Sequence, residues 1–349
     1  MMRSCCLRND RFDIGTDKNL WQDPRLKALR ETNKQGVWDP GCSPCYLMER
    51  AGLTSFRTGM NRGLDTYGRT DLSGPARLDI MFDISCNLAC RTCDSNSSTF
   101  WQKHLQDIGE WDRPIFTPRN KSRMIEYLAE LDLSNLRQVV FCGGETLLGQ
   151  EYWDVAQWLV EHTPDAKQNL TLCFQTNGTQ PILEKNHDII DSCRFVKLQI
   201  SLDGVQERFE YLRWPAQWQP VTQNLQQLRD HLPPNVIFLV EQTISIFTIL
   251  TYTDVERWVK ENFSQNRLGI NTPCCHHLAH GIFGLHNCSQ RLVDHLGQTP
   301  ARQMVPNTWQ ENPDQIKLML DTIKKYDRHR AQSLEIALPE VWQAYRDFW

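Results

Sequence analysis

The sequence predicts an α/β fold: a partial (βα)6 TIM-like barrel, preceded by a small irregular cysteine-rich segment and followed by C-terminal helices. Strand-like apolar runs alternate with helix-length segments from residue 76 onwards, which is typical of a parallel sheet with right-handed crossovers. Six such units precede residue 290, too few for a full eight-stranded barrel. We therefore divide the chain into residues 1–75, 76–290 and 291–349.

The elements of the predicted barrel follow one another as strand and helix. The predicted strands are residues 76–84, 136–141, 170–174, 195–201, 236–243 and 267–271. The predicted helices are residues 97–108, 122–132, 152–162, 217–231 and 253–263, with 313–328 and 333–348 in the C-terminal part. The last of these is rich in aromatic residues, so we expect it to pack an apolar stripe on the barrel.

The bulk composition limits the classes of protein to consider. The 349 residues are 40% hydrophobic and 23% charged, with a net charge of −4. This describes an ordinary globular protein and argues against nucleic acid as a partner. There is no apolar run long enough for a membrane helix, and no signal-peptide stretch. We expect a cytoplasmic protein without a membrane partner, in which grouped cysteines indicate metal binding or catalysis.

Three cysteines follow the first predicted strand at the spacing C-x3-C-x2-C: Cys86, Cys90 and Cys93. Three thiolates on one loop can hold three irons of a [4Fe-4S] cluster, and the fourth iron is then open to a small molecule. The alternative is a zinc site, which needs a fourth protein ligand, usually in a second Cys/His pair.

This stretch resembles the signature of the radical S-adenosylmethionine (SAM) enzymes. The resemblance implies that the open iron chelates the amino and carboxylate groups of SAM. It also implies that an electron from a flavodoxin- or ferredoxin-type reductant cleaves SAM to methionine and a 5′-deoxyadenosyl radical.

Gly143, Gly144 and Glu145 follow the second predicted strand. Two glycines let the backbone approach a ligand closely, and a carboxylate accepts hydrogen bonds from an ammonium group. The stretch resembles the GGE motif of the same family, which holds the SAM amino group. The family usually has proline next, whereas this chain has Thr146. An ordinary strand-ending turn is the alternative.

Further candidate SAM contacts follow the third and fourth predicted strands. Asn177 belongs to a Thr-Asn-Gly turn, which by itself is only a turn signal; in the resembled family this Asn lies near the SAM ribose or carboxylate. Ser201 belongs to an S-x-D-G segment and is the expected SAM contact there, with Asp203 organising the turn as the alternative role. Arg213 is a candidate clamp for the SAM carboxylate, with a surface ion pair as the alternative.

The first 75 residues contain Cys5, Cys6, Cys42 and Cys45, a tryptophan and Leu-Arg helix, and an E-x-x-G-x-x-S-x-R tail. They resemble the twitch, or abbreviated SPASM, element, which binds an auxiliary iron–sulfur cluster. The fourth ligand of that cluster stays open. A structural zinc site is the alternative, because spacing alone does not separate the two metals.

A second group of metal-capable residues follows the last predicted strand. Three interpretations stay open for it: completion of the auxiliary cluster, lining of the substrate pocket, and a packed polar loop. The group consists of Cys274, Cys275, His276, His277, His280 and Cys288.

We interpret the sequence as that of a radical SAM enzyme, of oxidoreductase or peptide maturase type, with SAM and one or two [4Fe-4S] clusters. A ribosomally made peptide is the preferred substrate, and a small molecule (amino acid, sugar or nucleoside) is the alternative. A non-enzymatic, zinc-structured binding protein is the rival class. The sequence assigns no catalytic residue of its own to hydrogen abstraction.

Overall fold

The computed structural model describes residues 20–50, 55, 57–59, 73–116, 121–181, 186–263, 277–278, 281–306 and 309–349. The strand predicted at 267–271 lies outside these residues, as do Cys5, Cys6, Cys274, Cys275, His276 and His280. Among the helices in the described ranges, none combines the length and the apolar character needed to cross a membrane.

Five parallel strands form one sheet in chain order. They are β1 (Arg77–Ile80), β2 (Gln138–Phe141), β3 (Thr171–Thr176), β4 (Phe195–Ser201) and β5 (Val236–Glu241). Since every neighbouring pair is parallel, each connection crosses back over the sheet, which requires a long crossover rather than a hairpin. The predicted fold class, a partial TIM-like barrel, is confirmed.

Helices form these crossovers, and further helices precede β1 and follow β5. Before β1 lie α1 (Pro24–Lys34) and α2 (Ser43–Arg50). Between β1 and β5 lie α3 (Thr99–Asp107), α4 (Lys121–Leu128), α5 (Glu151–His162), α6 (Ala166–Asn169), α7 (His187–Asp191), α8 (Glu207–Leu212) and α9 (Trp218–Asp230). After β5 come α10 (Tyr252–Phe263), α11 (Gln290–Leu296), α12 (Pro313–Arg330), α13 (Leu334–Ala337) and α14 (Pro339–Tyr345).

A parallel strand also follows α10. The short β6 (Thr243–Ile244) pairs in parallel with β7 (His277–Leu278). The chain therefore makes a further parallel pairing beyond the fifth strand, and the strand predicted at 267–271 stays a prediction.

The strand β4 has one apolar and one polar face. Val196, Leu198 and Ile200 are buried, whereas Lys197 and Gln199 between them are half-buried. Side chains alternate between the two faces of a strand, so the apolar set packs under the helices. The polar set lines the inner side of the partial barrel.

One helix prediction needs correction, and three short helices were not predicted. The helix predicted at 333–348 is wrong, because the structure has α13 and α14 separated at Leu338, with Pro339 opening the second helix. A proline disfavours the helical conformation of the residue before it, and Leu338 has φ −137° and ψ 64°. The short helices α6, α7 and α8 were missed because they are too brief to show a helical period.

The C-terminal helices build a second apolar core beside that of the barrel. Ile316, Met319 and Leu320 of α12 are buried there together with Tyr211 and Leu212 of α8. This contact brings α12 close to the loop that follows β1.

Candidate functional site

The cysteine loop begins at the carboxyl end of β1, where catalytic groups of barrels are found. The Asp83 carboxylate accepts hydrogen bonds from the Ser85 N–H at 2.8 Å and the Ser85 hydroxyl at 2.9 Å. The Cys86 N–H donates to Thr99 Oγ1 at 3.1 Å. Local hydrogen bonds therefore fix the first cysteine between the strand and α3.

The middle of the cysteine loop is bound to the turn after α8. The Ala89 N–H donates to the Trp214 carbonyl, and the Arg91 N–H donates to the Leu212 carbonyl, both at 2.8 Å. Because backbone groups make these bonds, they hold the path of the loop independently of its side chains.

The three thiols of the cysteine loop are the donor set proposed for a cluster. Cys90 is buried, and Cys86 and Cys93 are half-buried. Burial raises the pKa of all three thiols, that of Cys90 to about 12, so a bound metal must displace their protons. No three His, Cys, Asp or Glu side chains in the described ranges converge on a point that suits one ion. Three thiolates on one loop are the donor set that a [4Fe-4S] cluster with one open iron requires.

The two glycines of the GGE turn are required by its close contact with the cysteine loop. Gly143 and Gly144 have φ values of +98° and +42°. A Cβ at Gly144 would lie 2.2 Å from the Ser85 carbonyl oxygen, and one at Gly143 would lie 2.6 Å from that of Asp83. The Glu145 N–H donates to the same Ser85 carbonyl at 2.8 Å. The structure thus brings these two predicted motifs into direct contact.

The Glu145 carboxylate is buried and joins the ends of β2 and β3. It accepts hydrogen bonds from the Thr176 hydroxyl at 2.6 Å, the Asn177 N–H at 2.6 Å and the Leu147 N–H at 3.0 Å. Burial raises the pKa of Glu145, although these hydrogen bonds and the nearby Arg213 charge act to lower it. Three donors make the ionised form tenable in a buried position.

Asn177 is hydrogen-bonded to Asn87 of the cysteine loop, a residue that the sequence analysis did not identify. Its amide nitrogen donates to Asn87 Oδ1 at 2.9 Å, and the Asn87 amide donates to Thr179 Oγ1 at 2.9 Å. The Thr179 hydroxyl in turn donates to Asn177 Oδ1 at 2.6 Å. The only sequence signal for Asn87 is its position between the first two cysteines.

The predicted S-x-D-G segment and Arg213 also meet at the cysteine loop. Ser201 is half-buried at the last position of β4. Asp203 accepts a hydrogen bond from the Thr243 N–H at 2.8 Å and lies 2.8 Å from Arg213 Nη2. Arg213 Nη1 lies 3.8 Å from Cys90 Sγ. The ion pair of Arg213 is therefore buried, not at the surface, and Asp203 joins the end of β4 to β6 and to Arg213.

In the N-terminal segment the structure describes Cys42 and the buried Cys45. Beside them, the Ser55 hydroxyl donates to Glu49 at 2.5 Å, and Arg57 forms an ion pair with the same carboxylate. The polar residues of the E-x-x-G-x-x-S-x-R tail therefore form one hydrogen-bonded group next to α2.

Of the second group of metal-capable residues, the structure describes the surroundings of Cys288. It is fully buried in the C-terminal core, and burial raises its thiol pKa to about 12. The interpretation as a packed loop therefore applies to this cysteine.

A parallel partial barrel whose first strand leads into a three-cysteine loop, with a Gly-Gly-Glu turn packed on it, has the architecture of a radical SAM domain. Residues 84–260 match the family model of the Radical SAM superfamily. This match covers half of the chain, so the protein belongs to that superfamily. Membership implies a [4Fe-4S] cluster and SAM.

Comparison with solved structures found anSMEcpe with bound AdoMet and Cp18Cys peptide at 18% identity and a TM-score of 0.39, covering 72% of this chain and 58% of that one. Streptococcus suis SuiB bound to S-adenosylmethionine is 13% identical with a TM-score of 0.37, covering 90% and 65%. SuiB bound to the precursor peptide SuiA has a TM-score of 0.36. The chain thus spans less than two thirds of the length of these proteins. A search of curated proteins found no match.

Proposed function

We propose that this protein is a radical SAM enzyme that uses a cluster on Cys86, Cys90 and Cys93 to cleave SAM and abstract a hydrogen atom from its substrate. The observation that carries the proposal is the contact between the cysteine loop and the GGE turn through Ser85. With the cluster and SAM bound, one-electron reduction yields methionine and a 5′-deoxyadenosyl radical. Cofactors of this kind perform the difficult chemistry, while the protein binds, orients and shields.

Different residues of this chain are proposed to bind and orient SAM. Gly143 and Gly144 bring a backbone turn against the cysteine loop, because their missing Cβ atoms allow the Ser85 and Asp83 carbonyl groups to approach closely. Glu145, whose carboxylate is held by three donors, fixes the turn and places negative charge near the amino group of SAM. Asn177 and Ser201 at the ends of β3 and β4 are the proposed polar contacts to SAM.

Arg213 is directed at Cys90 and paired with Asp203. We therefore propose that Arg213 interacts with the cysteine loop as well as with the carboxylate of SAM. A guanidinium group has five donors, so it can serve both neighbours.

As substrate we propose a peptide, and as reductant a flavodoxin or ferredoxin in the cytoplasm. The half-buried Gln199 and Glu241, with the buried Cys173 beside them, offer hydrogen bonds to such a substrate. Cys173 Sγ donates to Gln199 Oε1 at 2.8 Å, and the Gln199 amide donates to Glu241 at 2.5 Å. A small polar molecule would use the same groups, so the products of turnover decide between the two substrates.

The N-terminal segment is proposed to hold a second iron–sulfur cluster, as in the twitch element. Cys42 ends a 3-10 turn and Cys45 lies in the first turn of α2. Residues three apart on a helical path face the same side, which suits two ligands of one metal centre.

The test is anaerobic reconstitution with iron and sulfide counts, together with an assay for reductant-dependent 5′-deoxyadenosine. The Cys86→Ala/Cys90→Ala/Cys93→Ala variant is expected to lose about four irons, one cubane, and all deoxyadenosine formation. Cys193→Ala, which removes a buried thiol that bonds only within its own turn, is the matched control and keeps both. A colourless zinc protein without deoxyadenosine formation would refute the proposal and favour the binding protein.

A further inference from the structure

Arg330, the last residue of α12, lies in a box of aromatic rings. Its side chain is buried, with the whole residue only 5% exposed. The guanidinium carbon lies 4.9 Å from the ring centre of Trp101, 5.1 Å from that of Trp214 and 5.3 Å from that of Tyr326. Aromatic faces attract cations, so the box favours a charged Arg330.

This guanidinium lacks a conventional partner. None of its three nitrogens has a hydrogen-bond acceptor in the part of the chain that the structure describes. The two other buried arginines nearby are each paired, Arg213 with Asp203 and Arg91 with Asp327. An uncompensated buried charge is costly, which indicates that its counter-charge comes from elsewhere.

The aromatic box is continuous with the cysteine loop. The Trp101 Nε1–H donates to the Cys90 carbonyl at 2.8 Å, and the Trp214 carbonyl accepts from the Ala89 N–H at 2.8 Å. Two of the three rings around Arg330 thus belong to residues that hold the middle of the loop.

Arg330 is expected to be charged in this box. Burial and the neighbouring Arg91 lower the pKa of Arg330 to about 9, so its guanidinium keeps its charge at neutral pH. Thiolates of the cysteine loop, to which Trp101 and Trp214 are hydrogen-bonded, would supply the missing negative charge.

We propose that Arg330 is the counter-charge of the cluster on Cys86, Cys90 and Cys93, and that it favours the reduced state. This inference rests on the proposed function. Three thiolates bring three negative charges, and reduction adds one electron from an external low-potential donor, hence one further negative charge. A fixed positive charge in a low-dielectric environment stabilises the reduced cluster, which carries the added negative charge, more than it stabilises the oxidised cluster.

The test is an anaerobic redox titration of the reconstituted full-length protein, followed by electron paramagnetic resonance. Arg330→Met keeps apolar contact with the three rings but removes the charge, and Arg330→Gln removes it with a polar side chain. Both are expected to make reduction at least tenfold less favourable, a downward shift of about 59 mV for one electron. Arg330→Lys keeps the charge and is expected to stay close to wild type.

Arg208→Gln is the matched control, because Arg208 also joins the barrel to the C-terminal helices, through an ion pair with Glu340. It should leave the midpoint potential unchanged. If Arg330→Met and Arg330→Gln bind no cluster but Arg330→Lys does, the charge is needed to retain the cluster, which supports the proposal.

Full iron content with an unchanged potential in Arg330→Met or Arg330→Gln would overturn the proposal. So would loss of the cluster in all three variants, because shape rather than charge would then matter. Wild-type protein without iron and sulfide would instead refute the proposed function, and this inference with it.

Discussion

At the scale of single residues, the buried His104 of α3 is expected to make the stability of the protein depend on pH. It is 1% exposed, and neither ring nitrogen has a hydrogen-bond partner among the described residues. Burial lowers its pKa to about 3, helped by the charged or titratable neighbours Arg330, His329, Arg91 and Lys325. The folded protein therefore holds His104 neutral where an unfolded chain protonates it.

We predict that the free energy of unfolding falls as the pH drops from about 6.5 towards 3. In that window the unfolded state binds the proton and the folded state does not, so each pH unit costs up to about 1.4 kcal/mol. His104→Phe removes this contribution, and its stability curve should be flatter than that of wild type. Urea unfolding of the metal-free proteins at several pH values measures the difference. Parallel curves would show that His104 titrates normally.

Gly144 supplies a second prediction at this scale. Gly144→Ala is expected to prevent assembly of the cluster, because its Cβ would lie 2.2 Å from the Ser85 carbonyl oxygen. Gly109→Ala is the control: its φ of +76° imposes similar backbone strain, of about 1–2 kcal/mol, but no atom lies within 4 Å of the added Cβ. Iron content after reconstitution distinguishes them, and equal loss in both variants would mean that strain alone explains the effect.

At the scale of elements, Glu145 couples the ends of β2 and β3. Glu145→Gln keeps the shape but turns one acceptor oxygen into a donor amide, which then faces the Asn177 N–H or the Thr176 and Leu147 donors. A buried unsatisfied polar group costs about 1–3 kcal/mol, so we predict a loss of stability in that range. Thermal unfolding of the metal-free protein tests it. No loss would imply that the carboxylate is protonated in the folded state, which is the direction that burial favours.

The helix α12 is joined to the cysteine loop by the buried ion pair of Arg91 and Asp327. Arg91 also donates to the Tyr211 carbonyl at 3.0 Å. Removing one partner of a buried pair costs about 3–5 kcal/mol, so Asp327→Ala should destabilise the protein by that amount and weaken cluster retention. Asp347→Ala breaks the exposed pair with Arg291 and should change little. Similar losses in the two variants would contradict the assigned role of burial.

Comparison of these elements with the sequence shows what a local pattern can and cannot predict. The strand β4 was predicted to the residue, because seven alternating positions give a clear period of two. The GGE turn was predicted from its glycines, which a close backbone contact demands. Asn87, Arg91 and Arg330 were missed, because their partners lie far along the chain and only the tertiary fold brings them together.

At the scale of the whole molecule, the radical SAM domain occupies about the middle half of the chain, and a further segment lies on either side of it. The C-terminal helices reach the cysteine loop through Arg91, Asp327 and Arg330. The N-terminal segment has its own cysteines and its own polar group around Glu49. We therefore predict separable effects of the two flanks, one on the cluster in the barrel and one on the second metal centre proposed for the N-terminal segment.

Iron content makes that separation measurable. Cys42→Ser/Cys45→Ser is expected to lower the iron count by about four, one cubane, while reductant-dependent cleavage of SAM persists, because the cysteine triad is intact. Conversion of a peptide substrate should be lost, if the N-terminal centre serves substrate binding or later electron transfer. Cys288→Ser, at a cysteine buried in the C-terminal core, controls for loss of a structural thiol and should keep the full iron count. An unchanged iron count in Cys42→Ser/Cys45→Ser, with zinc released in its place, would make the N-terminal segment a structural zinc element and leave one cluster in the enzyme.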